Sequence, residues 1–531
     1  MNHPIRCAAL ALAGLLSAGA ARAAEPVQAP PPAARSDAPA AVAARPSEAE
    51  VRASLDAIGA ADTRRLLTDR VYAGELLGHL DRVAPYLSDA AGVTALRNMR
   101  LIALATLGRN ADGVVLIDQV IDSRPAEAGQ YAAPWLAALS FGDRPRAVTL
   151  IETASRSVPG VRWAELRTLL DRPTVWSLLV ELKNAQQTAD RVRLAEALFR
   201  IGWPGGGDTQ SGDYIRAILL DDRLAAGDGA AAHGYADGIR TLRGTVPLLL
   251  GKRYDRALAS DADRLALLRT AIAREDEATR EALAAAPADL QRLVERASYL
   301  RSRARDEEAL ALLRPHLANV PATAADGEHG MWVVNEAASA LATLGRQAEA
   351  LALMDRIAAL PVAANPSLIS LRINHLGLLW DAGRFDEVLR RASALDPEAE
   401  RFASEFGRAW IATARICALS SLGRNAETAP LLAQLRGWSE LNPAALSNAY
   451  LCLGDESAAA ALMVHRLEGN DPDAAIQALQ EYTLGGDARG PSAAMQQRTA
   501  ALRARPEVQT ALDRVGRRLT LPLARRYWVE Y

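Results

Sequence analysis

Lysine is almost missing from this sequence. Only Lys183 and Lys252 occur, and arginine supplies the rest of the 61 cationic residues. Against 63 carboxylates the formal charge is -2. Phosphate backbones and anionic bilayers select a cation excess, and there is none, so no nucleic acid is expected as a partner. Aromatic residues make up only 5% of a chain that is 50% hydrophobic, so alanine, leucine and valine must fill most of the core. The seven histidines are scattered. No H-E-x-x-H occurs and no pair has helical ligand spacing, so a local zinc motif is absent. No G-x-S-x-G elbow appears. The glycine-rich run Gly205-Gly206-Gly207 is followed by Gly212-Asp213-Tyr214. A phosphate loop needs Gly-Lys-Ser/Thr there, so 202–214 reads as a loop between helices. Glu328-His329 has no second ligand nearby and reads as a solvated loop pair. These absences give an expectation of no enzyme activity, no metal and no cofactor.

Long apolar runs are also lacking. Cys7 to Ser17 is apolar but too short to span a bilayer, and no later stretch reaches ~18 apolar residues. The N-terminus has Arg6, that apolar run, and then small residues with Ala21-Arg22-Ala23 as an A-x-A site. This is the order of a secretory signal peptide over residues 1–23, cut after Ala23. The mature chain is therefore expected without a membrane span, in the periplasm, with secretion as the alternative. Cys7 stands at the start of the apolar run, so lipidation is not expected. Two cysteines remain, Cys417 and Cys452, which is no disulfide framework. Both lie in apolar helical context. Two buried free thiols are the favoured expectation, with a bridge between neighbouring helices as the alternative.

Residues 24–47 are alanine and proline and read as an extended linker. Ser47-Glu48-Ala49-Glu50 then has the spacing of a capping box. Beyond it, apolar residues recur at three and four. Ala350, Leu351, Leu353, Met354, Ile357 and Leu360 make one helical stripe, and no two-residue alternation is sustained. The folded part is expected to be all-α.

The punctuation of these helices repeats. Gly108 and Gly142 each precede a proline by seventeen residues, at Pro125 and Pro159. Further glycine turns fall at Gly227, Gly345, Gly383, Gly423 and Gly454. A helix, a glycine turn, a second helix and a proline describe a hairpin that must stack on its neighbours to bury its apolar faces. Gly383-Arg384-Phe385-Asp386-Glu387, closed by Leu395-Asp396-Pro397, and Gly142 with Ala147, Ala154 and Pro159 resemble the tetratricopeptide repeat. Phe385 is the only aromatic at its turn position, Val388 and Thr428 replace a small residue, and 383–397 is about one helical turn short. Gly251 to Ala257 reads as a degenerate unit. The resemblance implies a right-handed α-solenoid of antiparallel helix pairs, with a concave face built from the first helix of each pair.

The chain divides on this reading into helical repeats at 48–245, degenerate joining helices at 246–330, a second tetratricopeptide-like block at 331–482, and a C-terminal tail at 483–531. Residues 322–330 look like a loop. The tail ends Tyr527-Trp528-Val529-Glu530-Tyr531, expected to pack on the last repeat or to act as a docking peptide. In the resembled motif, the position thirteen before a turn glycine is exposed on the concave face. Trp332 and Trp410 stand there relative to Gly345 and Gly423. Asn98 and Asn335 lie ten before Gly108 and Gly345. These four are the candidate partner-binding residues. The expected function is a non-enzymatic scaffold of the cell envelope that binds a protein or peptide. The alternative is an accessory protein of peptidoglycan or exopolysaccharide processing or export. A lysozyme-like catalytic domain, as in soluble lytic transglycosylases, does not fit in 483–531.

Overall fold

The computed structural model describes residues 46–525, apart from 159, 161–169, 171, 205–208, 259–263, 364, 470–471, 486–487 and 489. The signal peptide, nearly all of the linker, and Tyr527–Tyr531 lie outside the described residues. The described chain is all-α but for two short strands, and it forms two compact units, Met1–Asp222 and Arg223–Tyr531.

The first of the described helices, Glu48–Gly59, starts with the capping box that its sequence predicts. Glu50 N–H donates to Ser47 Oγ, and Ser47 N–H donates to Glu50 Oε2 at 2.8 Å. The Ser47 N–H and the Ser47 hydroxyl, both donating to the Glu50 carboxylate, hold it below its usual pKa. In the first unit the helices Ala90–Leu107 and Asn110–Ser123, and then Ala132–Ser140 and Arg144–Ser157, form consecutive hairpins. In the second unit the same arrangement runs through Gly327–Thr343 with Gln347–Ala358, and Leu368–Asp381 with Phe385–Phe402. Leading helices also pack on one another: Ala90–Leu107 on Ala132–Ser140 in the first unit, and Gly327–Thr343 on Leu368–Asp381 and Leu368–Asp381 on Glu405–Ser421 in the second.

One turn recurs throughout. All seven glycines expected at turns have φ between 72° and 80°. At each, the N–H after the glycine closes on a carbonyl five residues back, as Arg346 does on Leu341 at 2.8 Å and Asp143 on Ala138 at 2.9 Å. This is the Schellman closure, which satisfies carbonyls left over at a helix end. Two further turns have the same bond without glycine. Gln186 (φ 55°) and Ala304 (φ 56°) hold the left-handed position, with Gln187 N–H on Leu182 O and Arg305 N–H on Leu300 O. Between 160 and 330 the same closure occurs at Gly202 and Gly227 and also at these two residues, which give no glycine signal.

Three local expectations are corrected. Pro397 does not close a helix, because Phe385–Phe402 runs through it. A proline removes one helical hydrogen bond, and Leu395 and Ala399 are buried on either side of it. Asp396 and Glu398 are also held by Arg415 and Arg372. Residues 322–330 are not a loop. Apart from Asp326, which links them, they belong to the helices Val320–Ala325 and Gly327–Thr343, where buried Val320 and Ala324 and then Met331 and Val333 anchor a helical stripe. Gly251 ends the helix Leu242–Leu250 with φ -79°, not in the left-handed conformation of the other turns, and makes an antiparallel bridge with Gly516.

The C-terminal residues complete the second unit. Strand β1 (Glu481–Leu484) pairs in parallel with β2 (Thr520–Ala524), with an irregularity between Tyr482 and Leu484. Parallel pairing needs a crossover, here the helices Gly490–Ala504 and Pro506–Val515. These strands escape sequence reading because each is only four or five residues long. The segment also reaches the beginning of the unit. Helix Leu242–Leu250 packs on Asp473–Ala478, and Arg517 N–H donates to Leu250 O at 2.9 Å. Asp473 accepts from Arg253 at 2.6 Å and from Tyr254 OH at 2.7 Å. Lys252, one of the two lysines, donates to Asp513 O near the end of Pro506–Val515, where the helix dipole favours a cation.

The cysteines are not free. Cys417 and Cys452 form a disulfide, with Cα atoms 5.1 Å apart. Their helices, Glu405–Ser421 and Pro443–Leu453, lie side by side and run the same way. Thr413 Oγ1 donates to Ala445 O at 3.0 Å, and Ser420 Oγ to Cys452 O at 2.9 Å. This pairing brings the two Cβ atoms within bonding reach, which residue spacing does not reveal.

Candidate functional site

The second unit has a cleft of about 320 Å³ at the N-terminal ends of three leading helices, Gly327–Thr343, Leu368–Asp381 and Glu405–Ser421. Met331, Trp332, Ile369, Ile373 and Phe402 give it an apolar wall. Ser367, Ser370 and Ser404 add hydroxyls, and among the described residues no charged side chain lines it. Its shape depends on Gly407. A Cβ there would stand 3.1 Å from Ile373 Cδ1, so glycine lets two leading helices approach closely. Ser404 caps its helix by accepting from Gly407 N–H at 3.3 Å. Phe402 reaches the wall because its helix continues past Pro397.

Trp332 and Asn335 are three residues apart on one helix, hence on one face. Trp332 is half-buried in the cleft wall. Asn335 Oδ1 accepts from Asn374 Nδ2 at 2.9 Å across neighbouring leading helices. Asn335 Nδ2 and Asn374 Oδ1 make no hydrogen bond among the described residues, leaving one donor and one acceptor, the complement of a peptide group. Trp410 is half-buried and packs against the core of the unit, outside the cleft lining. Asn98 belongs to the other unit, on Ala90–Leu107, with its Oδ1 buried and without a hydrogen-bond partner. Within the second unit the structure therefore brings together Trp332 and Asn335, with Trp410 outside the cleft lining.

Sequence reasoning missed Phe402, Phe406 and Asn374. A signal was present for the first two. Of five phenylalanines in the chain, two stand four residues apart at 402 and 406, and Phe406 is 47% exposed. Phe402 lines the cleft and Phe406 does not.

Behind the cleft-bearing helices lies a polar interior. Arg301 joins Glu336 at 2.6 Å and Asp306 at 3.4 Å, all three buried. His375 is buried next to Asp355, Arg391, Glu387 and Arg384. Burial, reinforced by Arg391, pushes its pKa down to about 4 despite the two carboxylates. A neutral histidine there is a packing residue at neutral pH. Among the described residues no group of three or more His, Cys, Asp or Glu side chains is arranged to hold a metal ion, and no helix is long and apolar enough to cross a membrane.

Comparison with known protein families and with curated proteins finds no match to this chain. The chemistry of the cleft must therefore carry the functional reading.

Proposed function

We propose that this chain is a tetratricopeptide-like scaffold, a right-handed solenoid of helix pairs without enzymatic activity, that binds an extended segment of a partner protein. The observation that carries this reading is the cleft with Trp332 and Phe402 in its wall beside the Asn335–Asn374 pair. Its uncharged lining suits an apolar anchor side chain, and the amide pair suits the backbone next to it. Rigid aromatics give large contact area at small entropic cost, which is why they dominate binding energy at interfaces. The repeated closure of the hairpin turns supports the repeat assignment. The leader pattern at 1–23 supports export to the periplasm, and a disulfide suits an oxidising compartment.

The test is selection of random displayed peptides on the immobilised protein. Enriched peptides are expected to carry one bulky apolar residue without flanking charge. Their affinity should fall ~30-fold or more with Trp332→Ala, matching the ~2 kcal/mol of an interface anchor. Equal enrichment on wild type and on a folded Trp332→Ala variant would place binding elsewhere.

A further inference from the structure

The disulfide sits beneath the C-terminal segment. Cys417 and Cys452 are each 6% exposed. Met495, on the helix Gly490–Ala504 and 2% exposed itself, places its Sδ 3.8 Å from Cys452 Sγ. Arg498 of the same helix donates to the carbonyls of Leu451 and Cys452, the second at 2.7 Å. Ser492 binds Asp381, and Arg503 donates to Gln480 O at 3.2 Å, so the helix is anchored along its length. The docked segment continues through β2 to Arg303, which donates to Pro522 O. Thiol–disulfide exchange needs an attacking sulfur to reach a cysteine sulfur. The active-site thiol of a protein oxidant has no such approach once this helix is in place. Both cysteines also precede residues 473–525 in the chain.

We propose that the Cys417–Cys452 bond is made by exchange with a disulfide-bearing oxidant before the C-terminal segment docks, and that the docked Gly490–Ala504 helix then seals it. In the first step one cysteine thiolate attacks the oxidant's disulfide and expels one oxidant thiolate. In the second, the other cysteine thiolate displaces the oxidant from the mixed disulfide. The cysteine pair gives up two protons and two electrons, and the oxidant leaves as a dithiol. The consequence is an ordered maturation. Two leading helices are stapled first, and the segment that joins the end of the unit to its beginning locks the staple in.

The experiment uses the full chain with Cys7→Ser, so that only this pair reports, and counts thiols by alkylation. Dithiothreitol without denaturant should leave the wild-type bond intact under conditions that fully reduce the urea-unfolded chain. Met495→Asp and Arg498→Gln loosen the helix and should release both thiols at least about tenfold faster, because local opening limits access. Their C-terminal segments should also be cut faster by protease. In the other direction, glutathione disulfide added during refolding of the reduced chain should form the bond faster than when added after refolding. Reduction of the wild type at the variants' rate would overturn the proposal, as would wild-type resistance in variants whose segment is protease-sensitive. Equal oxidation rates before and after refolding would overturn the order. If circular dichroism shows that Met495→Asp fails to fold, Arg498→Gln decides.

Discussion

The turn at Gln186 offers a reciprocal test of what ends these helices. Gln186 is exposed, has φ 55° and precedes the same closing bond that Gly142 precedes at φ 72°. A left-handed conformation costs a side-chain-bearing residue about 1–2 kcal/mol. Glycine avoids that cost but loses about 0.4–1 kcal/mol through the greater freedom of its unfolded chain. The balance predicts that Gln186→Gly stabilises the first unit by about 0.5–1 kcal/mol. Gly142→Ala should destabilise it by a similar amount. Nothing lies within 4 Å of a Cβ built at Gly142, so the loss is conformational and not steric. Thermal unfolding should show opposite shifts of roughly 1–4 °C, given ~2–4 °C per kcal/mol at this unit size. Urea midpoints at unchanged slope give the same comparison. A lower Tm for Gln186→Gly, or no change in Gly142→Ala, would refute the claim that backbone conformation is what these positions select.

Other outcomes follow from the second unit. Glu336→Ala removes the 2.6 Å carboxylate partner of buried Arg301 and should cost ~3–5 kcal/mol in chemical denaturation; a loss under ~1 kcal/mol would show that the remaining surroundings of the guanidinium compensate for the carboxylate. His375 has a folded pKa of about 4, below the ~6.5 of an unfolded histidine. The unfolded chain therefore binds the proton more tightly, and stability should fall as pH drops from ~6.5 through about 4, with no contribution from this group above neutrality. His375→Gln should flatten that part of the stability–pH curve, and an unchanged slope would count against the burial effect. Trp410→Ala should lower stability by less than the ~3–5 kcal/mol of a fully buried tryptophan, because Trp410 is only half-buried, and it should leave selected peptides bound. Loss of their binding in a folded Trp410→Ala chain would extend the site beyond the cleft.

Much of the local structure was legible in the residues. Helical periodicity fixed the class, Ser47 and Glu50 fixed a helix start, and seven glycines marked turns, because each of these signals depends on a few neighbouring backbone groups. The same logic explains the failures. Gln186 and Ala304 hold the left-handed turn although their residue types do not favour it, since packing of the flanking helices outweighs a cost of ~1–2 kcal/mol. Pro397 reads as a stop, yet burial of Leu395 and Ala399 and the Arg372–Glu398 and Arg415–Asp396 pairs carry the helix through. For the site, register placed Trp332 and Asn335 on one face, whereas the meeting with Phe402 and Asn374 depends on which helices become neighbours. The disulfide and the return of residues 473–525 to Leu250–Asp255 were also decided only there. Sequence by itself determined helices and their punctuation, since those energies are local. Tertiary structure decided the cleft, the bridge and the closing segment, since each joins residues whose proximity no spacing along the chain encodes.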